Sequence, residues 1–117
     1  MDTRRLYLTT LISNDLAHTW TVEEMANAVN LSPAHLHKLF RDQTGVAPIK
    51  YLQDLRLKKA REMLETSFLR IKQIGVNVGM PESGHLTKEF TKKYNISPTE
   101  YRKKYFNDKF TVPKISE

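Results

Sequence analysis

The sequence predicts an all-α protein of about seven helices. Only four Gly occur among 117 residues. No stretch sustains the alternation of Val, Ile, Thr and aromatic side chains that a half-buried strand needs. Apolar residues recur instead at spacings of three and four, the period of a helix packed on one side. The length allows one compact domain or two very small subdomains sharing an axis, and leaves little core from which to build a deep substrate cavity.

The helices follow in order. The first spans about 3–17, with Leu8, Leu11 and Ile12 on one face. Thr21-Val22-Glu23-Glu24 is a capping box in which Glu24 reaches back to the cap amide, and it opens a short helix whose inner face is Val22, Met25, Ala26 and Val29. Asn30-Leu31-Ser32-Pro33 breaks that helix and restarts the chain: Ser32 caps, and Pro33 suits a first turn that needs no amide donor. The next helix, 33–43, buries Leu36, Leu39 and Phe40 and stops at Thr44-Gly45. Pro48 opens a long helix to about Glu65 whose apolar residues are Tyr51, Leu52, Leu55, Ala60, Met63 and Leu64. Ser67 or a neighbour caps a helix over 70–78, with Ile71, Ile74, Gly75 and Val78 facing inward. After Gly79-Met80-Pro81-Glu82, a helix over 83–94 holds Leu86, Phe90 and Tyr94. Ser97-Pro98-Thr99-Glu100 is a second capping box, opening a last short helix through Tyr101 and Tyr105. From Asn107 the pattern is lost and fraying is expected.

An internal repeat organises these elements. Leu36, Phe40, Pro48 and Tyr51 recur 50 residues later as Leu86, Phe90, Pro98 and Tyr101. Before the turn the offset is 49, matching Val22, Met25, Ala26 and Val29 with Ile71, Ile74, Gly75 and Val78. The second turn is therefore one residue longer. Each copy reads as short helix, tight turn, second helix, stop and Pro-initiated helix, which is a helix-turn-helix written twice. The expected organisation is a first helix-turn-helix subdomain over 1–47, a linking helix over 48–65, a second subdomain over 66–107 and a frayed tail over 108–117.

In such a unit the first helix braces the second, and the second lies in a DNA major groove. At about 100° per residue, Leu36, Leu39 and Phe40 form the inner arc of helix 33–43, while Ala34, His37, Lys38 and Arg41 fall opposite, with His35 and Asp42 at the edges. In helix 83–94 the matching outer set is Gly84, Thr87, Lys88 and Thr91, with Lys92 at the edge. Lys38 and Lys88 occupy equivalent positions from which an ammonium can donate to guanine O6 and N7. Charge agrees with a polyanionic partner. The formal net charge is +6, yet residues 1–31 carry a balance of −2 and residues 32–117 a balance of +8. The absence of Cys excludes a disulfide scaffold and thiolate metal sites and fits a reducing compartment. No apolar run exceeds three residues, too few for a membrane span or a secretory leader. A cytoplasmic protein is expected.

Met25-Ala26, Leu31-Ser32-Pro33-Ala34-His35-Leu36-His37-Lys38-Leu39-Phe40-Arg41, Gly45, Pro48, Tyr51-Leu52, Arg56-Leu57, Ala60 and Leu64 together resemble the DNA-binding domain of AraC/XylS transcription regulators. So do Ile71, Ile74-Gly75, Val78-Gly79, Phe90, Ser97-Pro98 and Tyr101-Arg102. The resemblance covers residues 5–106. It implies recognition helices in adjacent major grooves, mostly in activators that also touch RNA polymerase and often carry a separate sensing or dimerising domain. The chain starts directly at the first helix, so it is expected to be either a stand-alone regulator or an excised C-terminal domain. Base reading is assigned to Ala34, His37, Lys38, Ser83, Thr87 and Lys88, and Ala34 can meet a thymine methyl. Phosphate binding is assigned to Arg41, Lys50 and Lys92, and to helix starts near Thr21, Ser67 and Ser97.

The second unit departs from the family pattern, with Gly75, Met80, Gly84, Leu86 and Asn95 where Ala, Phe, Ser, Phe and Gly are usual. Gly84 removes a side chain from the presumed recognition surface, which shifts that unit toward fewer base contacts or toward phosphate and shape. Asn95 can still take the left-handed stop conformation. A metal site is not expected: His35 and His37 lie two apart on a helix and point in different directions, and His35 and His85 suit packing at a helix edge. Arg102-Lys103-Lys104 suits either phosphate or a solvated helix end. No phosphate loop or nucleophile arrangement supports an enzyme, and no cofactor is implied. The rival reading is a helical protein–protein module with weak or lost DNA binding, favoured only by the thinned surface at Gly84. Structured-RNA binding lacks any recognition signature.

Overall fold

A computed structural model describes residues 3–110. Among them are seven helices and no strand: α1 (Arg4–Ser13), α2 (Val22–Ala28), α3 (Pro33–Thr44), α4 (Pro48–Thr66), α5 (Ile71–Asn77), α6 (His85–Tyr94) and α7 (Pro98–Phe110). No helix is long and apolar enough to cross a membrane among the described residues. The chain forms two compact units, one up to Lys58 and one from Lys59, so their boundary falls inside the 19-residue α4.

In the first unit the core joins Leu8 and Ile12 of α1, Met25 and Ala26 of α2, Val29, Leu36 and Phe40 of α3, and Leu52 of α4. Leu11, Leu16, Trp20, Val22, Leu31, Tyr51 and Leu55 pack around it. Phe40 meets Tyr51 edge-on at 5.3 Å between ring centroids. In the second unit Ala60, Leu64, Ile74, Gly75, Val78, Met80, Leu86 and Phe90 are buried. Phe90 meets Tyr101 edge-on at 5.8 Å, the same pairing one repeat later. Met80 and Leu86 are both nearly inaccessible (2% and 3%).

Helix ends account for the departures from expectation. α1 stops at Ser13 rather than Ala17. The Asp15 amide bonds the Ile12 carbonyl in a tightened turn, and side chains then claim the next carbonyls. Trp20 Nε1 donates to Asp15 O at 2.9 Å, and Arg56 donates to Leu16 O and His18 O at 3.0 and 2.8 Å. Thr21 does cap α2, accepting from the Glu24 amide at 3.0 Å, but the Glu24 carboxylate turns to His18 Nε2 at 2.7 Å. α5 is capped at Arg70, not Ser67. Ser67 Oγ donates to Met63 O at 2.7 Å and so closes the end of α4 instead. α6 begins at His85, two residues late, because its cap Gly84 is left-handed at φ 78°. α7 continues through Phe110 where fraying was expected. Phe106 stacks on Phe68 (5.6 Å, 24°) and meets Tyr105 edge-on. The expected frayed tail is therefore helical over 108–110, and its remainder, 111–117, lies outside the described residues.

Candidate nucleic-acid interface

The first helix-turn-helix is built from α2 and α3. Ser32 Oγ accepts the His35 amide at 3.2 Å, Pro33 occupies the first turn, and Gly45 ends α3 at φ 82°. Inward-facing Leu36 and Phe40 are fully buried, which fixes the rotation of α3 about its own axis. The opposite arc is thereby turned to solvent. Ala34, Lys38 and Arg41 are exposed as expected, and His37 is half-buried. Asp42 joins them: its Oδ2 lies 3.0 Å from Lys38 Nζ, one turn away, with both side chains largely solvated. His35 is exposed rather than packed at the helix edge, because Leu36 and Leu39 already occupy the inner side. Arg4, Leu31, His35, Lys38, Leu39 and Asp42 line a groove of about 430 Å³ beside this surface.

The second helix-turn-helix is built from α5 and α6. Leu86 and Phe90 face inward, and Thr87, Lys88, Thr91 and Lys92 are exposed on the opposite arc. Asn95 stops α6 at φ 60°, reproducing with an Asn the left-handed turn that Gly45 makes in the first unit. Two expectations need correction here. Ser83 and Gly84 are not on the recognition helix. They form the turn that precedes it, so the outer arc of α6 starts at His85, which is also exposed rather than packed. Gly84 has open space where a Cβ would lie, and its backbone conformation, not crowding, is what a side chain would strain.

Gly75 has the opposite character. A Cβ there would sit 2.6 Å from the Met80 carbonyl oxygen, because the turn doubles back to place the Met80 amide on Gly75 O at 2.7 Å. In the first unit the Leu31 amide bonds Ala26 O at 2.9 Å, and a methyl is accommodated. Both returns span five residues, so the extra residue of the second turn falls after Met80, in the stretch before α6 that holds Ser83 and Gly84.

The residues expected at phosphates are dispersed among different local roles. Arg41 and Lys92 are exposed near the C-terminal ends of the two outer arcs, one position apart in the repeat. Lys50 pairs with Asp54 at 3.2 Å along α4. Thr21 and Ser97 cap α2 and α7, Ser97 Oγ accepting the Glu100 amide at 3.1 Å. Ser67 stands at the C-terminal end of α4, where its hydroxyl donates to Met63 O, so the amides of a helix start that its expected phosphate role relied on are not at this position.

Two arginines carry structural work that spacing did not single out. Arg102 donates to the carbonyls of Leu64, Leu69 and Ser67 at 3.1, 2.6 and 3.1 Å, with Met63 O at 3.5 Å, and is not available as a phosphate ligand. Arg56 serves the loop after α1 in the same manner. Burial lowers the pKa of both guanidiniums from the ordinary arginine value. The hydroxyl of Tyr101 donates to Glu65, and burial together with that bond pushes its pKa up to about 12. A periodicity argument finds faces, and none of these three groups acts through a face.

A helix-turn-helix domain family model matches residues 25–104. The lactose operon transcription activator of Staphylococcus xylosus is 38% identical over 82 residues, covering 70% of this chain and 29% of its own length. The arabinose operon regulatory protein of Escherichia coli K12 is 33% identical over 103 residues, covering 87% and 35%. The chain spans about three tenths of the length of the first curated relatives it matches, at 28%, 31% and 29%. Among solved structures, a transcriptional regulator from Chromobacterium violaceum, of the AraC-type DNA-binding-domain proteins, superposes with a TM-score of 0.82 at 27% identity, over 87% of this chain and 91% of its own. The DNA-binding domain of AdpA, solved with a target DNA, has the same fold, with a TM-score of 0.87 at 24% identity over 96% and 100%.

Proposed function

Because the chain belongs to the AraC/XylS helix-turn-helix family, we propose that it binds double-stranded DNA sequence-specifically and regulates bacterial transcription, as an activator in the cytoplasm. The observation that carries the reading is the duplicated unit, in which buried Leu36 and Phe40, then Leu86 and Phe90, turn an exposed basic arc outward. Such an arc suits a major groove, and two of them suit adjacent grooves, which recur about every 34 Å along one face of a duplex.

In this reading Ala34, His37 and Lys38 on α3, and Thr87 and Lys88 on α6, reach base edges. Arg41, Lys50 and Lys92 meet phosphates, and so do the amides at the starts of α2 and α7 near Thr21 and Ser97. Ser83, exposed in the turn before α6, is the remaining candidate for base reading. RNA polymerase is the expected protein partner, and a sensing or dimerising domain the expected companion of this one.

Selecting bound sites from a random duplex pool tests the reading. Recovery of a site spanning two successive grooves, with affinity that falls steeply as salt rises, is the expected result. Weak, salt-insensitive binding to every duplex would instead point to a protein-interaction module.

A further inference from the structure

We propose that Asp42 is a specificity-determining residue of the first recognition helix: its carboxylate restrains Lys38, so that α3 discriminates among sequences more sharply than α6, whose matching position holds a lysine. The inference rests on the DNA-binding reading above and refines it.

The two outer arcs correspond position by position at the repeat offset of 50. Lys38 and Asp42 in α3 become Lys88 and Lys92 in α6. The same one-turn spacing therefore holds an opposite-charge pair at 3.0 Å in one helix and two like charges in the other. An acid on a surface that meets a polyanion is repelled by every phosphate near it. It cannot add affinity for phosphates, and what it can add is discrimination. Asp42 does two things at once. It engages the Lys38 ammonium, which would otherwise swing to whichever phosphate is nearest, and it penalises dockings in which α3 rides against the backbone. Only a groove that offers Lys38 a better acceptor, such as guanine O6 and N7, releases the pair to full effect, and the freed carboxylate can then accept from a cytosine amine. Arg4 lines the same groove as Lys38 and Asp42, so the carboxylate also tempers a second cation at this edge of the helix. α6 carries no such restraint at the matching position. Lys88 and Lys92 are both exposed, with Thr87 and Thr91 each just before one of them, so no carboxylate at position 92 holds Lys88 back from a nearby phosphate.

The test compares binding of Asp42→Asn and Asp42→Lys with the wild type. Two duplexes of equal length are used across a salt series: the site recovered by selection, and one of random sequence. Asp42→Asn is expected to tighten random-sequence binding about fivefold and to change the selected site less than about twofold. Asp42→Lys is expected to go further and to steepen the salt slope by about one. Equal factors on both duplexes, or no change on the random one, would overturn the role of Asp42. Lys92→Asp is expected to weaken both duplexes in parallel, and a selective loss on the recovered site would overturn the division between the helices. Wild-type protein that binds neither duplex would overturn the DNA reading itself, a result distinct from the other two. Both side chains of the pair are solvated, so the fold should survive, and an unchanged circular dichroism melt checks that.

Discussion

In the first unit the hydroxyl of Tyr51 faces Arg5 Nη1 and Thr9 Oγ1, each at 3.4 Å. In the second, the equivalent Tyr101 donates instead to the Glu65 carboxylate. The stop after the recognition helix is Gly45 in one and Asn95 in the other. The brace helix turns back over Ala26 in one and over Gly75 in the other. A loop is tied by Arg56 on α4 in the first, and by Arg102 on α7 in the second. What does not change is the inward pair, Leu36 with Phe40 and Leu86 with Phe90. The comparison teaches that apolar spacing fixes the frame, whereas the polar closures can be exchanged for others that satisfy the same free backbone groups. The outer arcs, which close no backbone group of the frame, are the part left to diverge.

Removing the arginine ties should break this symmetry most. Arg102→Ala frees several carbonyls around the end of α4 at once. It is expected to destabilise the second unit by about 3 kcal/mol, with Arg56→Ala costing the first about 2 kcal/mol. Hydrogen exchange should show lost protection confined to the unit that carries each change. Equal loss in both units would mean that the two fold as one cooperative block.

On DNA, Lys38→Ala should cost about 2 kcal/mol on a selected site and relax its specificity there, whereas Arg41→Ala should weaken all sequences alike and flatten the salt slope. A sequence-selective loss on removing Arg41 would move it from the phosphates to the bases.

Gly75→Ala sharpens the comparison of the turns. Helix propensity alone favours Ala by about 1 kcal/mol, but the new methyl meets the Met80 carbonyl oxygen at 2.6 Å, which is backbone and cannot step aside. A net loss of about 1.5 kcal/mol is expected in urea denaturation, while Ala26→Gly, lacking any such contact to relieve, should lose about 1 kcal/mol. A stabilising Gly75→Ala would show that the second turn relaxes easily.

Tyr101→Phe should cost the second unit about 1 kcal/mol. The pKa of about 12 lies above the ordinary tyrosine value of 10.0, so this contribution is complete below pH 10 and is lost as pH rises through 12. The Phe variant should therefore show a flatter alkaline limb, and identical limbs would remove the hydroxyl from the account. The smallest effect is expected at the helix stops. Asn95→Gly relieves a left-handed side chain and should gain about 0.5 kcal/mol, and Gly45→Asn should lose about as much.

Nearly all of the frame was legible because a period of 3.6 and its repetition at 49 and 50 residues leave a mark on apolar positions. Capping residues were legible in part. Thr21, Ser32 and Ser97 were found because a hydroxyl one step before a helix has one dominant use, but the partner of Glu24 was missed, since His18 lies on a loop without periodicity. Ser67 was misplaced because a serine between two helices can close the one behind as readily as open the one ahead. Gly84 reads in the sequence as a vacancy on a recognition surface, because a glycine alone does not say whether its backbone is left-handed. Asp42 was placed at an edge. That it pairs with Lys38 follows from spacing, and what the pairing does follows only from comparison with Lys92.

The chain has a single tryptophan, and the structure puts it to use in one place only. Trp20 packs on the first core, sends its indole proton to Asp15 O, and takes the His18 ring edge-on at 4.7 Å. The second unit holds a row of tyrosines instead, at 94, 101 and 105. Excitation of the indole alone therefore reports on the first unit, and tyrosine signals in the near ultraviolet are weighted to the second. The unlabelled protein thus contains separate optical reporters for its two halves. If the transitions seen by the two reporters part under heat or urea, each half melts on its own account. If they coincide, α4 carries the collapse of one half into the other.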